Sequence, residues 1–237
     1  HWLALPNENW AQWRVYDVTT NRDRGYDAFN PSFSMRMVIG SFNQYAQSDR
    51  FWSPDGRYLT VLRSRTDDRE RYDLWGFDRR SGKWSMLVDS LKLGSGKDLS
   101  EAEKMQRERQ RIGDLKGIVT YDWSADGKAI LVPLDGDLYL AGLDATVQKL
   151  SQGGSDQLNP ALSPKGGYVS FVRDRRLWAG KPGGDAAPIT PEDKAETVHW
   201  GEAEFVAQEE MARFTGYWWA PDDSQIAVER FDDADHP

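Results

Sequence analysis

The sequence predicts an all-β chain, a partial β-propeller of about four four-stranded blades belonging to a larger ring. Three observations predict it. A turn-and-strand unit recurs four times along 237 residues. Two of its copies lie 39 residues apart, within a residue or so of the ~40–45 residues of a propeller blade. Twenty-one glycines and eleven prolines punctuate an aromatic-rich chain, a composition that favours many short strands over long helices. A barrel or a sandwich also holds short strands, but neither predicts a repeated unit of this length.

The first copy is "FWSPDGRYLTVLRS" at 51–64, echoed by "YDWSADGKAILVPL" at 121–134, "PALSPKGGYVSFVR" at 160–173 and "YWWAPDDSQIAVER" at 217–230. Each begins with a Ser/Ala-x-x-Gly/Asp turn and continues into an alternating apolar run, the pattern of two strands joined by a tight turn. A second aromatic strand follows the first three, at "YDLWGFD" 72–78, "GDLYLAGLD" 136–144 and "RLWAGK" 176–181. The turns begin at Ser53, Ser124, Ser163 and Ala220, at intervals of 71, 39 and 57 residues. The longer intervals read as one blade plus an insertion. The fourth copy ends after two strands, and a propeller cut there exposes strand edges, so the chain is expected to be a piece of a longer protein. Residues 1–48 stay unassigned beside blades at 49–237; "WAQWRVYDVTT" reads as a strand, and "AFNPSFSMRMVIG" matches nothing in the repeat.

The first insertion carries a helix at about 98–113. Ser100 with Glu103 forms a capping box, Gly113 fits the residue after the helix, and Ala102, Met105, Arg109 and Ile112 recur at helical spacing. Arg107, Arg109 and Arg111 fall in its last turns, where cations suit the helix dipole. The second insertion, about 200–215, carries Glu209 and Glu210 between Phe205, Val206, Met211 and Phe214. Read as a helix, it sets Ala203, Val206, Glu210 and Phe214 on one face and Phe205 with Glu209 on the next. Carboxylates following an apolar pattern repel and resist ionisation as they are buried. A cation relieves this, either an arginine or a ligand's ammonium, so the pair is a candidate receptor for a protonated amine.

The formal net charge of −8 excludes non-specific nucleic-acid or anionic-membrane binding. No stretch reaches the roughly 18 apolar residues of a membrane span. Three scattered histidines and no cysteine predict no metal centre and no cofactor.

"EFVAQEEMARFTGYWWAPDDSQIAV" at 204–228 resembles the hallmark of the dipeptidyl peptidase IV family of serine exopeptidases, a Glu-Glu pair followed by Tyr-Trp-Trp-x-Pro. "LSEAEKMQRERQRIGDLKGIVTYDWSADG" at 99–127 resembles the arginine-bearing helix of its bacterial members and cytosolic eukaryotic branch. "LNPALSPKGGYVSFVRDRRLW" at 158–178 fits the blade between. The resemblance covers roughly residues 50–237. It implies an eight-bladed propeller followed by a C-terminal α/β-hydrolase domain, usually in a homodimer. It also implies that Glu209 and Glu210 hold the free amino terminus of a peptide, releasing Xaa-Pro or Xaa-Ala dipeptides. The arginine that holds the P2 carbonyl aligns best with Arg111, with Arg107 and Arg109 as the alternatives in the same run. No Gly-x-Ser-x-Gly elbow occurs, so this segment is expected to bind and orient peptides, not hydrolyse them. A periplasmic or extracellular place is implied for a bacterial protein, a cytoplasmic one for the eukaryotic branch. A non-catalytic propeller that captures ligands is the alternative function, and a purely structural role for both insertions is a third.

Overall fold

The computed structural model describes residues 2–6, 13–17, 22–23, 52–150 and 157–234. The chain divides into two compact units, His1–Met37 and Val38–Pro237. In the first, β1 (Trp2–Pro6), β2 (Trp13–Asp17) and β3 (Arg22–Asp23) form an antiparallel sheet, with Leu3 opposite Tyr16 and Tyr16 opposite Asp23. The strand read from "WAQWRVYDVTT" is therefore present as β2. The segment "AFNPSFSMRMVIG" lies outside the described residues.

The second unit is a partial β-propeller built from successive, mostly antiparallel sheets. The first blade contains β4 (Tyr58–Ser64), β5 (Arg71–Asp78) and β6 (Lys83–Val88). A single-turn helix α1 (Ser90–Leu93) and helix α2 (Glu101–Arg109) follow. The short β7 (Lys116–Gly117) then returns parallel to β5. The second blade is β8 (Asp122–Trp123), β9 (Ala129–Leu134), β10 (Asp137–Gly142) and β11 (Val147–Lys149). The third is β12 (Leu158–Leu162), β13 (Val169–Arg173), β14 (Arg176–Gly180) and β15 (Ala187–Pro188). Each of these two is a four-stranded meander in chain order.

Beyond them come β16 (Val198–Trp200), helix α3 (Phe205–Glu210), β17 (Tyr217–Trp219), β18 (Ile226–Val228) and β19 (Arg230–Asp232). β17 pairs with β18, whereas β19 turns aside to pair with β16. The fourth repeat thus has a third strand, and its partner precedes the glutamate insertion.

The recurring turn has one construction. In the first three copies the serine N–H donates to the carbonyl five residues on, at 2.9 Å, and its Oγ accepts the N–H of that residue, also at 2.9 Å. A glycine closes each of these turns at positive φ: Gly56, Gly127 and Gly166. Asp55 and Asp126 accept the hydroxyls of Ser53 and Ser124. Lys165 stands where the third turn would have its aspartate, and Asp223 of the fourth turn reaches across instead. Asp223 accepts from Ser163 Oγ at 2.6 Å, Lys165 N at 2.9 Å and Gly167 N at 3.2 Å.

Blades pack face to face through three apolar clusters. Leu74, Ile118, Trp123, Ile130, Val132 and Leu134 fill the first. Leu131, Leu138, Val169 and Phe171 fill the second, and Leu158, Val172, Leu177 and Tyr217 the third. Strand alternation explains the continuous apolar run of β9: Ile130, Val132 and Leu134 face one neighbour while Leu131 faces the other. Each such side chain contributes about 1.5–3 kcal/mol of burial.

Candidate functional site

The two insertions meet. Helix α2 starts at Ser100, whose Oγ accepts Glu103 N at 3.1 Å, the cap expected from the sequence. Its end differs from expectation. The helix stops at Arg109 with Gln110 as the cap, and Arg111, not Gly113, takes the left-handed position after it at φ 58°. Arg111 N donates to Glu108 O and Ile112 N to Arg107 O, the paired bonds of a Schellman termination. Gly113 comes two residues too late to serve.

The glutamate segment is a loop tied at its base. Glu202 bridges Thr215, Ala203 N donates to Phe214 O, and Gly216 N to Gly201 O. A side chain at Gly216 would run into the backbone of Glu202, so only glycine lets the two ends of the loop close. Glu204 caps α3, its carboxylate accepting Val206 N and Ala207 N at 2.7 Å each. α3 lasts six residues, which changes the predicted face. Phe214 lies beyond the helix, and the side chains turned inward are Ala207 and Gln208. Glu209 and Glu210 are exposed, together with Phe205, Val206 and Met211. Six residues give under two turns, too few for an apolar period to set the face.

Of the three arginines, Arg109 touches this segment. Its Nη1 donates to Gln208 Oε1 at 2.7 Å, its Nε lies 3.9 Å from Glu209 Oε1, and its guanidinium stands 5.4 Å from the Phe205 ring centre. The hydrogen bond and the cation–π contact orient it. Arg107 is buried and donates to Leu115 O at 3.1 Å; burial pulls its pKa below the ordinary value against the opposing pull of Glu103 and Asp135. Arg111 is exposed and lines a second cavity of about 710 Å³ with Lys97, Lys104 and Lys116.

A cavity of about 960 Å³ opens beside the glutamates, lined among others by Gln106, Arg107, Tyr121, Gln157, Asn159 and Glu210. A polar relay crosses one wall: Gln106 Nε2 donates to Asn159 Oδ1, and Asn159 Nδ2 donates to Phe214 O at 2.9 Å. Asn159 stands at φ 49°, where β12 shifts register against β13; asparagine tolerates this conformation better than most residues. Helix α2, strand β12 and the glutamate loop are thereby joined. Gln106, Asn159 and Gln208 went unnoticed in the sequence. The only local hint was Asn159 before Pro160, because their partners lie 53, 55 and 99 residues away.

Residues 124–237 match the family described as "Dipeptidyl peptidase IV (DPP IV) N-terminal region". Over those residues the sequence matches the N-terminal region of the dipeptidyl peptidase IV family. Its relatives include human dipeptidyl peptidase 8, 27% identical over 164 residues, covering 58% of this chain and 17% of the relative. The mouse dipeptidyl peptidase 8 is 26% identical over 163 residues, covering 58% and 18%. The chain therefore spans less than a fifth of the length of these curated relatives. The crystal structure of Porphyromonas gingivalis dipeptidyl peptidase 4 shares the fold, with a TM-score of 0.54 at 23% identity over 85% of this chain and 28% of that one. Both insertions, the glutamate loop inside the family match and the α2 helix ahead of it, now sit on a dipeptidyl peptidase IV-type propeller. No helix among the described residues is long and apolar enough to cross a membrane.

Proposed function

We propose that this chain is the substrate-recognising propeller segment of a dipeptidyl aminopeptidase, with Glu209 and Glu210 receiving the protonated amino terminus of a peptide. The observation that carries this reading is the contact of Arg109 with Gln208 and Glu209, beside a cavity that Glu210 lines. An ammonium offers three donors, and two adjacent carboxylates can accept them while balancing its charge. Arg109 is our choice for the P2 carbonyl, in preference to Arg111 and Arg107. It adjoins the glutamates, and a guanidinium donor can polarise a carbonyl that lies within two residues of the ammonium.

Holding the terminus fixes a length. Two extended residues span at most about 7 Å, so only the bond after the second residue reaches a nucleophile set at that distance. The nucleophile belongs to a hydrolase domain of the parent chain, as the resemblance implies, and the natural ligands are peptides with a free amino terminus. Exposure of both carboxylates suits a receptor that fills when the peptide arrives.

The test is cleavage by the full-length parent of a Gly-Pro chromogenic amide, beside the same amide acetylated at its amino terminus. The free amine should be cleaved and the acetylated form should not. A hydrogen bond to a charged partner contributes about 1.5–3 kcal/mol, so Glu209→Ala and Glu210→Ala should each lower kcat/KM by about 10- to 150-fold. Cleavage of both substrates at similar rates, or wild-type kinetics in both variants, would remove the amine receptor. Cleavage of neither would favour a binding propeller without peptidase activity.

A further inference from the structure

Arg107 lines both cavities at once. It is 8% exposed, yet its single hydrogen bond runs from Nη1 to Leu115 O, and among the described residues no carboxylate lies within 4 Å of it. Its Nε and Nη2 make no hydrogen bond, and neither atom is closed off from solvent. Both therefore keep a surface that a ligand can reach. Glu103 and Asp135 act on the guanidinium only through space, and burial outweighs them. A buried charge without a partner is costly, and an arginine cannot escape the cost by losing its proton. The partner this geometry lacks is an anion.

The cavity of about 710 Å³ is the side that suits one. Six cations line it against four carboxylates, whereas in the larger cavity Arg107 and Arg213 face Glu103, Asp122 and Glu210. Among the described residues, Arg107 is the one buried charged side chain that lines the smaller cavity. Arg111 adds a second guanidinium, exposed and engaged by no carboxylate there. Lys104 and Lys116 are tied only to exposed Glu101 and Glu70, contacts weak enough in water to be exchanged for a ligand. Of the opposing carboxylates, Asp98, Glu108 and Asp114 are exposed, and Asp135 already accepts Gly96 N. A guanidinium presents paired donors that match two oxygens of one phosphate or carboxylate group. The surplus of two positive charges, six less four, favours a ligand carrying at least two negative ones. We propose that this cavity binds a small, multiply charged oxyanion on Arg107 and Arg111. The proposal does not rest on the peptide-receptor reading given above.

The experiment titrates pyrophosphate into the full-length parent in a calorimeter, at constant ionic strength with chloride as the balancing ion. Saturable binding of one pyrophosphate per chain is expected. Arg111→Gln, at an exposed residue, should weaken it about tenfold, and Arg107→Gln at least as much. Lys83→Gln on β6 removes the same charge outside the cavity and should leave the affinity unchanged. Competition then identifies the source of the charge. Displacement by inorganic phosphate assigns a phosphoryl ligand, and displacement by citrate alone assigns a carboxylate. Absence of saturable binding overturns the proposal, as does binding that survives Arg111→Gln. An equal loss in Lys83→Gln and Arg111→Gln overturns it too, because the effect would then belong to the net charge of the chain. Should Arg107→Gln fail to fold, Arg111→Gln beside the Lys83→Gln control decides the matter alone.

Discussion

Arg111 and Asp223 occupy left-handed backbone where glycine would be expected, and for opposite reasons. Arg111, at φ 58°, ends a helix, while Asp223, at φ 65°, closes a turn whose earlier copies use Gly56, Gly127 and Gly166. The left-handed region costs an L-residue about 1–2 kcal/mol, against the roughly 0.5–1 kcal/mol of extra backbone entropy that glycine loses on folding. Arg111→Gly should therefore raise stability by up to about 1 kcal/mol, seen as a higher urea midpoint at unchanged slope. Asp223→Gly relieves the same strain but strips Ser163, Lys165 and Gly167 of their shared acceptor, and its midpoint should fall. A fall in both variants would mean that the Arg111 side chain also holds something in place. The turns themselves were legible, because Ser-x-x-Gly states a local geometry. The exchange of Asp223 for the aspartate missing at position 165 was not, since it joins turns of two different blades.

At the scale of elements, two short helices from distant insertions are docked on one another through Gln208. It links Ala203 O to the Arg109 guanidinium, so it closes the inner side of α3 and steers α2 at once. Gln208→Leu keeps the volume and removes both bonds, leaving Ala203 O, in a fully buried residue, without its donor. Stability should fall by about 1–3 kcal/mol. KM of the parent for short peptides should rise while its kcat changes less, because the chemistry lies elsewhere. In a cycle with Arg109→Ala, additive effects would show that the two side chains act separately and would undo the docking argument. The sequence disclosed each insertion alone, one by the Ser100–Glu103 box and one by the glutamate pair. It could not disclose their meeting, 99 residues apart. It also set Ala203, Val206, Glu210 and Phe214 on one face, whereas the buried residues here are Ala203, Ala207 and Gln208, because so short a helix carries no reliable period.

For the whole molecule, the blades were legible because each strand is fixed by its own hairpin and alternation, as in the run Ala129–Leu134, read as a strand and present as β9. The pairing of β16 with β19 was hidden, because the glutamate loop and the β17–β18 hairpin separate the two strands. What braces the blades besides apolar contact, within a blade at Asp78 and between repeats at Asp223, is a set of ionised aspartates, and their titration is a property of the assembled fold. Burial raises the pKa of Asp137, 3% exposed, but Lys149 at 2.7 Å and Lys97 at 3.4 Å outweigh it, and the net shift is downward. Asp223 likewise resists an upward push from burial through its bonds to Ser163, Lys165 and Gly167, and ends below the ordinary carboxylate value. Asp78, held by Arg57 and the N–H of Arg80, drops to about 2. A folded pKa below the unfolded value of about 3.9 means that the unfolded chain binds more protons through that window. Stability therefore rises with pH across it. The contribution is fully present above about pH 5, declines as pH falls through about 4, is mostly lost by about 2 and is gone near 1. The melting temperature should accordingly be flat on the aspartate side above pH 5 and fall steeply between 4 and 2. Asp137→Asn and Asp78→Asn should each lower the plateau and flatten the acid limb. A melting temperature that stays level down to pH 2, or acid limbs unaltered in both variants, would show that these aspartates do not brace the fold.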